Sequence, residues 1–325
     1  MADSVRIGFI GCGGNAYGHI NSLNKLENAQ IVAVCDLVEP LAKKAAEVSG
    51  GQAYTDYEKM LERDDLDAMC LSLPVFAHGE PELAIARRGL PFLVEKPVAR
   101  TMETAKKVLA EVERQEMITC VGYQLRYGAE TTAARKILAG QNIGLVVGRY
   151  WCGTGRESSD WRGQYDKSGG QILEQATHTL DMMRFLCGEV TRVVALSARR
   201  ELTDTDCPDV HSIILNFECG AIGSMTTAWA CDPRDWSNAN IIHITFADRL
   251  LRWASGAVTV TGGADSGGAL NSGGQNIDEV FVEAVRTGDR SSILSPYRDA
   301  VKSLELCLAI LESAERGEPV KLDRH

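Results

Sequence analysis

No stretch of the 325-residue chain approaches the ~18 consecutive apolar residues of a membrane span, and its first residues show no basic region followed by an apolar run and a cleavage site. A cytoplasmic address, away from any membrane, is therefore the expectation. Positive charge is also in short supply. With 34 Lys and Arg against 44 Asp and Glu, the net charge of -10 has the wrong sign for following a phosphate backbone, so nucleic acid is not an expected partner. The ten cysteines contain no C-x-x-C pair and read as reduced, mostly packed thiols. Several catalytic signatures are missing too: Y-x-x-x-K, G-x-x-x-x-G-K-[ST], H-E-x-x-H and G-x-S-x-G do not occur.

What is present is a globular composition, 45% hydrophobic and 24% charged, at about twice the ~150 residues typical of one domain. The first third alternates β-rich runs with helical patterns. Val5 to Ile10, Ile31 to Cys35, Ala68 to Leu73, Phe92 to Glu95 and Ile118 to Gly122 read as strands apolar on both faces. Helix-length connections between such strands imply parallel pairing, hence an α/β doubly wound domain over 1-122. After residue 122 the rhythm changes. Runs at Ile143 to Cys152, Val193 to Ser197, His211 to Phe217, Ala221 to Ala230 and Ile241 to Phe246 follow one another with turn signals between. Residues 123-325 are expected to form an α/β domain with an open-faced, mostly antiparallel sheet. Residues 262–274, rich in glycine, read as a surface loop, with a mobile lid as the alternative.

Directly after the first strand stands Gly11-Cys12-Gly13-Gly14-Asn15-Ala16, leading into a helical pattern. Gly11 permits the tight turn, Gly13 lets backbone approach a pyrophosphate, and Ala16 keeps the helix close to the strand while its N-terminal N–H groups face the anion. Gly14 and Asn15 complete that cradle. The second strand ends in Asp36, placed to accept hydrogen bonds from a ribose and to repel a 2′-phosphate; Leu37, Val38 and Glu39 supply no compensating cation. The cofactor expected is NAD.

Two further clusters carry chemistry. Leu73-Pro74 through His78, and Glu95-Lys96-Pro97, lie at strand ends on the same cofactor edge. Lys96 could polarise a substrate hydroxyl, and reads equally well as a surface lysine at a strand end. In the second domain, Glu174, His178 and Asp181 are spaced to share one face of a helix that follows Ser168-Gly169-Gly170. Glu174 would then orient the imidazole of His178. An exposed helical pair and a metal site are the other readings of these residues.

At these residues the chain resembles the Gfo/Idh/MocA family, the glucose-fructose oxidoreductase and inositol dehydrogenase group. The resemblance runs through Gly11-x-Gly13 with Ala16 and His19, Pro74-x-x-x-His78, Glu95-Lys96-Pro97, and Ser168-Gly169-Gly170 with His178 and Asp181. It implies a Rossmann domain joined to an open-faced α/β domain, polyol or sugar oxidation at their interface, and a homodimer or homotetramer. Two departures stand out: Glu174 where aspartate is common, and Leu73 and Val75 where Thr and Asn are frequent around Pro74.

The expected chemistry passes hydride between NAD and a secondary hydroxyl while a base takes the proton. A free lysine near pKa 10.4 must fall by about three units, ~4 kcal/mol, to act as base at neutral pH, whereas an imidazole starts near 6.5. His178 is therefore assigned as base, Glu174 as its partner and Lys96 as the cation on the reacting oxygen, with the exchange of roles between Lys96 and His178 left open. Tyr123, Arg126, Trp161 and Arg162 are expected to contact the sugar, with Gln124, Trp151 and Arg156 as further candidates. Rival readings are a glycosidase or lyase working by transient oxidation, and an NAD-binding module without turnover.

Overall fold

The structure, a computed structural model, describes residues 4–153, 160–231, 239–263 and 273–322. Arg156 and most of the glycine-rich stretch 262–274 lie outside them. Strands β1 (Val5–Ile10), β2 (Ala29–Cys35), β3 (Gln52–Tyr54), β4 (Ala68–Leu71), β5 (Phe92–Val94) and β6 (Thr119–Val121) alternate with helices α1 (Ala16–Leu23), α2 (Glu39–Ser49), α3 (Tyr57–Leu61), α4 (Glu80–Arg87) and α5 (Met102–Arg114). The strands pair in parallel in the order β3-β2-β1-β4-β5-β6. Ile7, Phe9, Val34, Met69 and Leu93 are wholly buried, as strands covered on both faces demand. Strand β3 has no counterpart among the expected runs: it is three residues long with two of them exposed, so it leaves no apolar pattern.

Register fixes what this sheet presents. Tyr54, Cys35, Ile10, Leu71, Val94 and Val121 form one row across it. Because the strands run in one direction, the residues near their carboxyl ends, including Gly11, Asp36, Ser72, Glu95 and Gly122, share one edge. Strands lie ~4.8 Å apart, which places the backbone of Glu95 roughly 10 Å along that edge from Gly11.

The second sheet combines β7 (Ile143–Trp151), β8 (Val190–Ala198), β9 (Val210–Phe217), β10 (Ile222–Ala228), β11 (Asn240–Phe246), β12 (Arg249–Ala254), β13 (Ala257–Gly262) and β14 (Val320–Lys321). Its order is β13-β12-β11-β7-β10-β9-β8-β14, antiparallel throughout except for the parallel pair β7 and β10. Helices α6 (Ala129–Leu138), α7 (Tyr165–Ser168) and α8 (Thr177–Cys187) accompany it. One face, with Val146, Ile213, Leu215 and Met225, is buried. Helix α8 lies close upon it, since a Cβ at Gly148 would stand 2.7 Å from the sulfur of Met183. The opposite face is apolar and exposed at Leu145, Val147, Ile214 and Ile222, whose register makes them neighbours.

The chain then forms α9 (Ile277–Thr287) and α10 (Tyr297–Arg316). Residues 276–301 belong to the first unit with 1–122, and 302–325 to the second with 123–275. The expected contiguous division at 122 therefore gives way to an interleaved one. Long-range bonds account for it: the Val121 N–H donates to the Ser295 carbonyl (2.8 Å), the Tyr297 N–H donates to Thr119 Oγ1 (3.1 Å), and the Tyr297 ring meets Phe92 edge-on.

Candidate active site

The glycine turn is built as its sequence implies. Gly11 has φ +87°, and a Cβ there would stand 2.2 Å from the Ser72 carbonyl oxygen, so no side chain fits. At Gly13 and Gly14 a Cβ would meet nothing within 4 Å, which leaves open backbone in front of α1. Ala16 opens that helix fully buried, and its first turn has no acidic residue to compete with an anion. The Asp36 carboxylate accepts the Cys12 N–H on one oxygen and the Val38 N–H on the other, both at 2.8 Å. It thus ties the end of β2 to the glycine turn, a role the sequence spacing did not reveal, and its further lone pairs are available to a ribose. A bare cradle, a helix N-terminus and a carboxylate at the next strand end together fit a pyridine dinucleotide. Cys12 takes no part as a nucleophile. Burial, with the nearby Asp36 and Cys35, pushes its thiol up to about 12.

Pro74 precedes a 3-10 turn, Val75–Ala77, and His78 follows it. His78 is buried with Glu82: Nδ1 lies 2.6 Å from Glu82 Oε1, while Glu82 Oε2 accepts the Gly79 N–H and caps α4. His78 therefore shapes the turn after β4 from within. Glu95 is likewise turned into its own unit. Its Oε1 lies 3.1 Å from His19 Nε2, and its Oε2 accepts the backbone N–H of Lys96 at 3.1 Å. Lys96, half-buried, heads a cis peptide to Pro97.

In the second unit Gly169 and Gly170 adopt successive left-handed conformations, φ +70° and +71°, and the Ser168 hydroxyl accepts the Gly170 N–H. The chain then runs π-helical over Ile172–Ala176 before α8 begins. Glu174 sits in that wide turn, so the α-helical stacking expected between Glu174 and His178 is not the local geometry, whereas His178 and Asp181 both lie on α8. Asp181 is turned elsewhere altogether. It binds Arg126 through both oxygens (2.8 and 2.5 Å) and accepts the Ser303 hydroxyl (2.6 Å).

The expectation that Arg126 meets substrate is corrected with it: the guanidinium is 3% exposed, spent on Asp181 and stacked over Phe185. Tyr123, also expected to contact sugar, is 1% exposed. Its hydroxyl pairs with Thr177 Oγ1 (2.9 Å), and its ring meets that of His178 edge-on at 6.1 Å, so it braces His178 from the buried side. Trp161 and Arg162 stay half-buried on a 3-10 turn. Asp160 holds the Arg162 guanidinium at 2.5 Å and raises its pKa, with Glu174 adding to the same effect.

Residues 5–123 match an oxidoreductase family described as having an NAD-binding Rossmann fold, and 131–246 match the GFO/IDH/MocA C-terminal domain. The chain belongs to the Gfo/Idh/MocA family. Curated relatives include the scyllo-inositol 2-dehydrogenase (NAD(+)) of Bacillus subtilis, 26% identical with 99% of this chain and 98% of that one covered. A D-apiose dehydrogenase of Paraburkholderia graminis is 25% identical over 96% of this chain and 88% of its own length. Among solved structures, levoglucosan dehydrogenase in complex with NADH and L-sorbose superposes with a TM-score of 0.89 at 21% identity, covering 99% and 100% of the two chains.

Membership makes the protein an NAD-binding oxidoreductase. Two sets of contacts escaped the residue patterns. His19 stands between Glu95 and Asp278, 76 and 259 positions from it, and only folding brings the three together. The Arg126–Asp181 pair, 55 positions apart, gave no local signal either.

Proposed function

We propose that this Gfo/Idh/MocA member transfers a hydride between NAD and a secondary hydroxyl of a sugar or cyclic polyol. The observation that carries the reading is Lys96 at the carboxyl end of β5, on the edge that also carries the glycine turn and Asp36. Bound there, NAD supplies the electron chemistry. The rest falls to side chains. Lys96 binds the reacting oxygen and stabilises the charge it develops as its proton leaves. His178, braced by Tyr123, takes that proton, and Glu174 sets the electrostatic surroundings of the imidazole. Trp161 and Arg162 offer a stacking face and donors to a sugar ring.

Support for the substrate class comes from the relatives' activities on inositols and apiose. The test is NADH formation across cyclic polyols, aldoses and sugar acids. Net NADH with a free sugar upholds the reading, and glycoside cleavage without net NADH overturns it. Lys96→Ala and His178→Ala are each expected to lower turnover ~10²-fold or more with NADH affinity nearly intact. Wild-type turnover in either removes that residue from the reaction. The apolar outer face of the large sheet supports a homodimer or homotetramer, checked by light scattering of wild type against Ile214→Glu.

A further inference from the structure

We propose that His19 is a positioning residue for Lys96, acting through the carboxylate of Glu95 and itself anchored by Asp278. The relay is continuous within the first unit. Asp278 Oδ1 lies 2.6 Å from His19 Nδ1, His19 Nε2 lies 3.1 Å from Glu95 Oε1, and Glu95 Oε2 accepts the Lys96 N–H at 3.1 Å. Both ring nitrogens face a carboxylate, so both bonds are served at once only by the doubly protonated imidazolium. Burial opposes that charge, but the bonds to Asp278 and Glu95 outweigh it and lift the pKa to about 10.

Two neighbouring residues accommodate and hold this arrangement. At Gly122 a Cβ would fall 2.9 Å from the Glu95 carboxylate, so the glycine makes room for it. Asn276 caps α9, accepting the Asp278 N–H, and donates its amide to Ser22 on α1, which docks the start of α9 beside the helix that carries His19. His19 and Asp278 are both buried. Two carboxylates and one imidazolium so placed are expensive to desolvate, and apolar residues would stabilise the unit as well or better. The cluster earns its place by what it fixes: with Oε1 held by the imidazolium, Oε2 stays on the Lys96 backbone N–H.

The inference deepens the proposed function, since it takes Lys96 as the residue worth positioning, and its test is independent of any substrate. His19→Asn retains an amide near the Nδ1 position facing Asp278, whereas His19→Gln reaches the Nε2 position facing Glu95. Trace acetic anhydride labelling, read by peptide mass, reports the reactivity of the Lys96 amine relative to the exposed Lys107. In His19→Asn no donor reaches Glu95 Oε1, so the carboxylate is no longer held on the Lys96 backbone and swings toward the ammonium, and labelling of the amine falls about fivefold or more. His19→Gln should restore it to within about twofold at a similar melting temperature, and NADH affinity should stay within about twofold in both. Equal labelling of Lys96 in the two variants, or labelling that follows the melting temperature alone, overturns the positioning role. Lys96→Ala, by contrast, tests the proposed function itself.

Discussion

Alanine at Gly11 and alanine at Gly13 are nominally the same change two residues apart, and the structure assigns them opposite consequences. At Gly11 the new methyl must enter a left-handed backbone and would stand 2.2 Å from a backbone oxygen that cannot swing aside. The conformation costs about 1–2 kcal/mol and the overlap about 1–3 more, so a loss of about 2–5 kcal/mol is expected. At roughly 2–4 °C per kcal/mol, the melting temperature should drop by about 4–20 °C. Gly13 lies outside the left-handed region and its Cβ would touch nothing within 4 Å. Alanine there should leave stability unchanged or raise it by up to about 1 kcal/mol through the unfolded chain. Its methyl nevertheless fills the space in front of α1, and NADH affinity should fall about tenfold or more, ~1.4 kcal/mol. Differential scanning fluorimetry and NADH fluorescence titration separate the two quantities. Wild-type NADH binding by Gly13→Ala, or wild-type melting of Gly11→Ala, would refute the assignment of clash to one and contact to the other.

Asp36→Ala removes both the ribose acceptor and the tie to the Cys12 N–H, so the preference for NADH over NADPH should shrink about tenfold or more in parallel titrations; an unchanged ratio contradicts the role. Arg126→Ala strands the Asp181 carboxylate in the interior and should cost about 3–5 kcal/mol in urea unfolding, much of it recovered in the double variant with Asp181→Asn. Simple additivity would show that the two do not form a unit. Burial pushes His211, bonded to Thr227, down to about 4. An unfolded histidine protonates near 6.5, so the unfolded chain gains the proton first as pH falls; this stabilisation is complete above about 6.5 and declines by about 3 kcal/mol by pH 4. His211→Gln should flatten that acid limb, and a slope identical to wild type would sink the claim. His19, raised instead, stabilises below about 6.5 and loses its contribution as pH climbs toward 10.

Much of this was legible because the signals were local. A glycine turn after an apolar strand, a carboxylate at the next strand end and Lys96 before a proline are each properties of a few consecutive residues, and each sits where the parallel sheet requires. Strand β1 appears with the bounds its pattern indicates. The readings that shifted depended on distant partners or on helix pitch. Arg126 looks the same in sequence whether it faces a sugar or Asp181. A spacing of four implies a common face only in an α-helix, and the π-helical turn at 172–176 removes that premise for Glu174 and His178. The allegiance of 276–301 was invisible for the same reason: the apolar stripe of α9 shows that something is buried against it, not which half of the chain provides the surface.

That allegiance sets the order in which the protein can be made. On the ribosome the six strands of the nucleotide-binding sheet emerge within the first 122 residues, yet Asp278 and Ser295 follow only after most of the other sheet has been synthesised. Until then the Val121 amide lacks its carbonyl and the α1 surface that later receives α9 stays wet. A nascent chain halted before residue 276 would carry every recognisable nucleotide motif and still be unable to close the lobe that presents them.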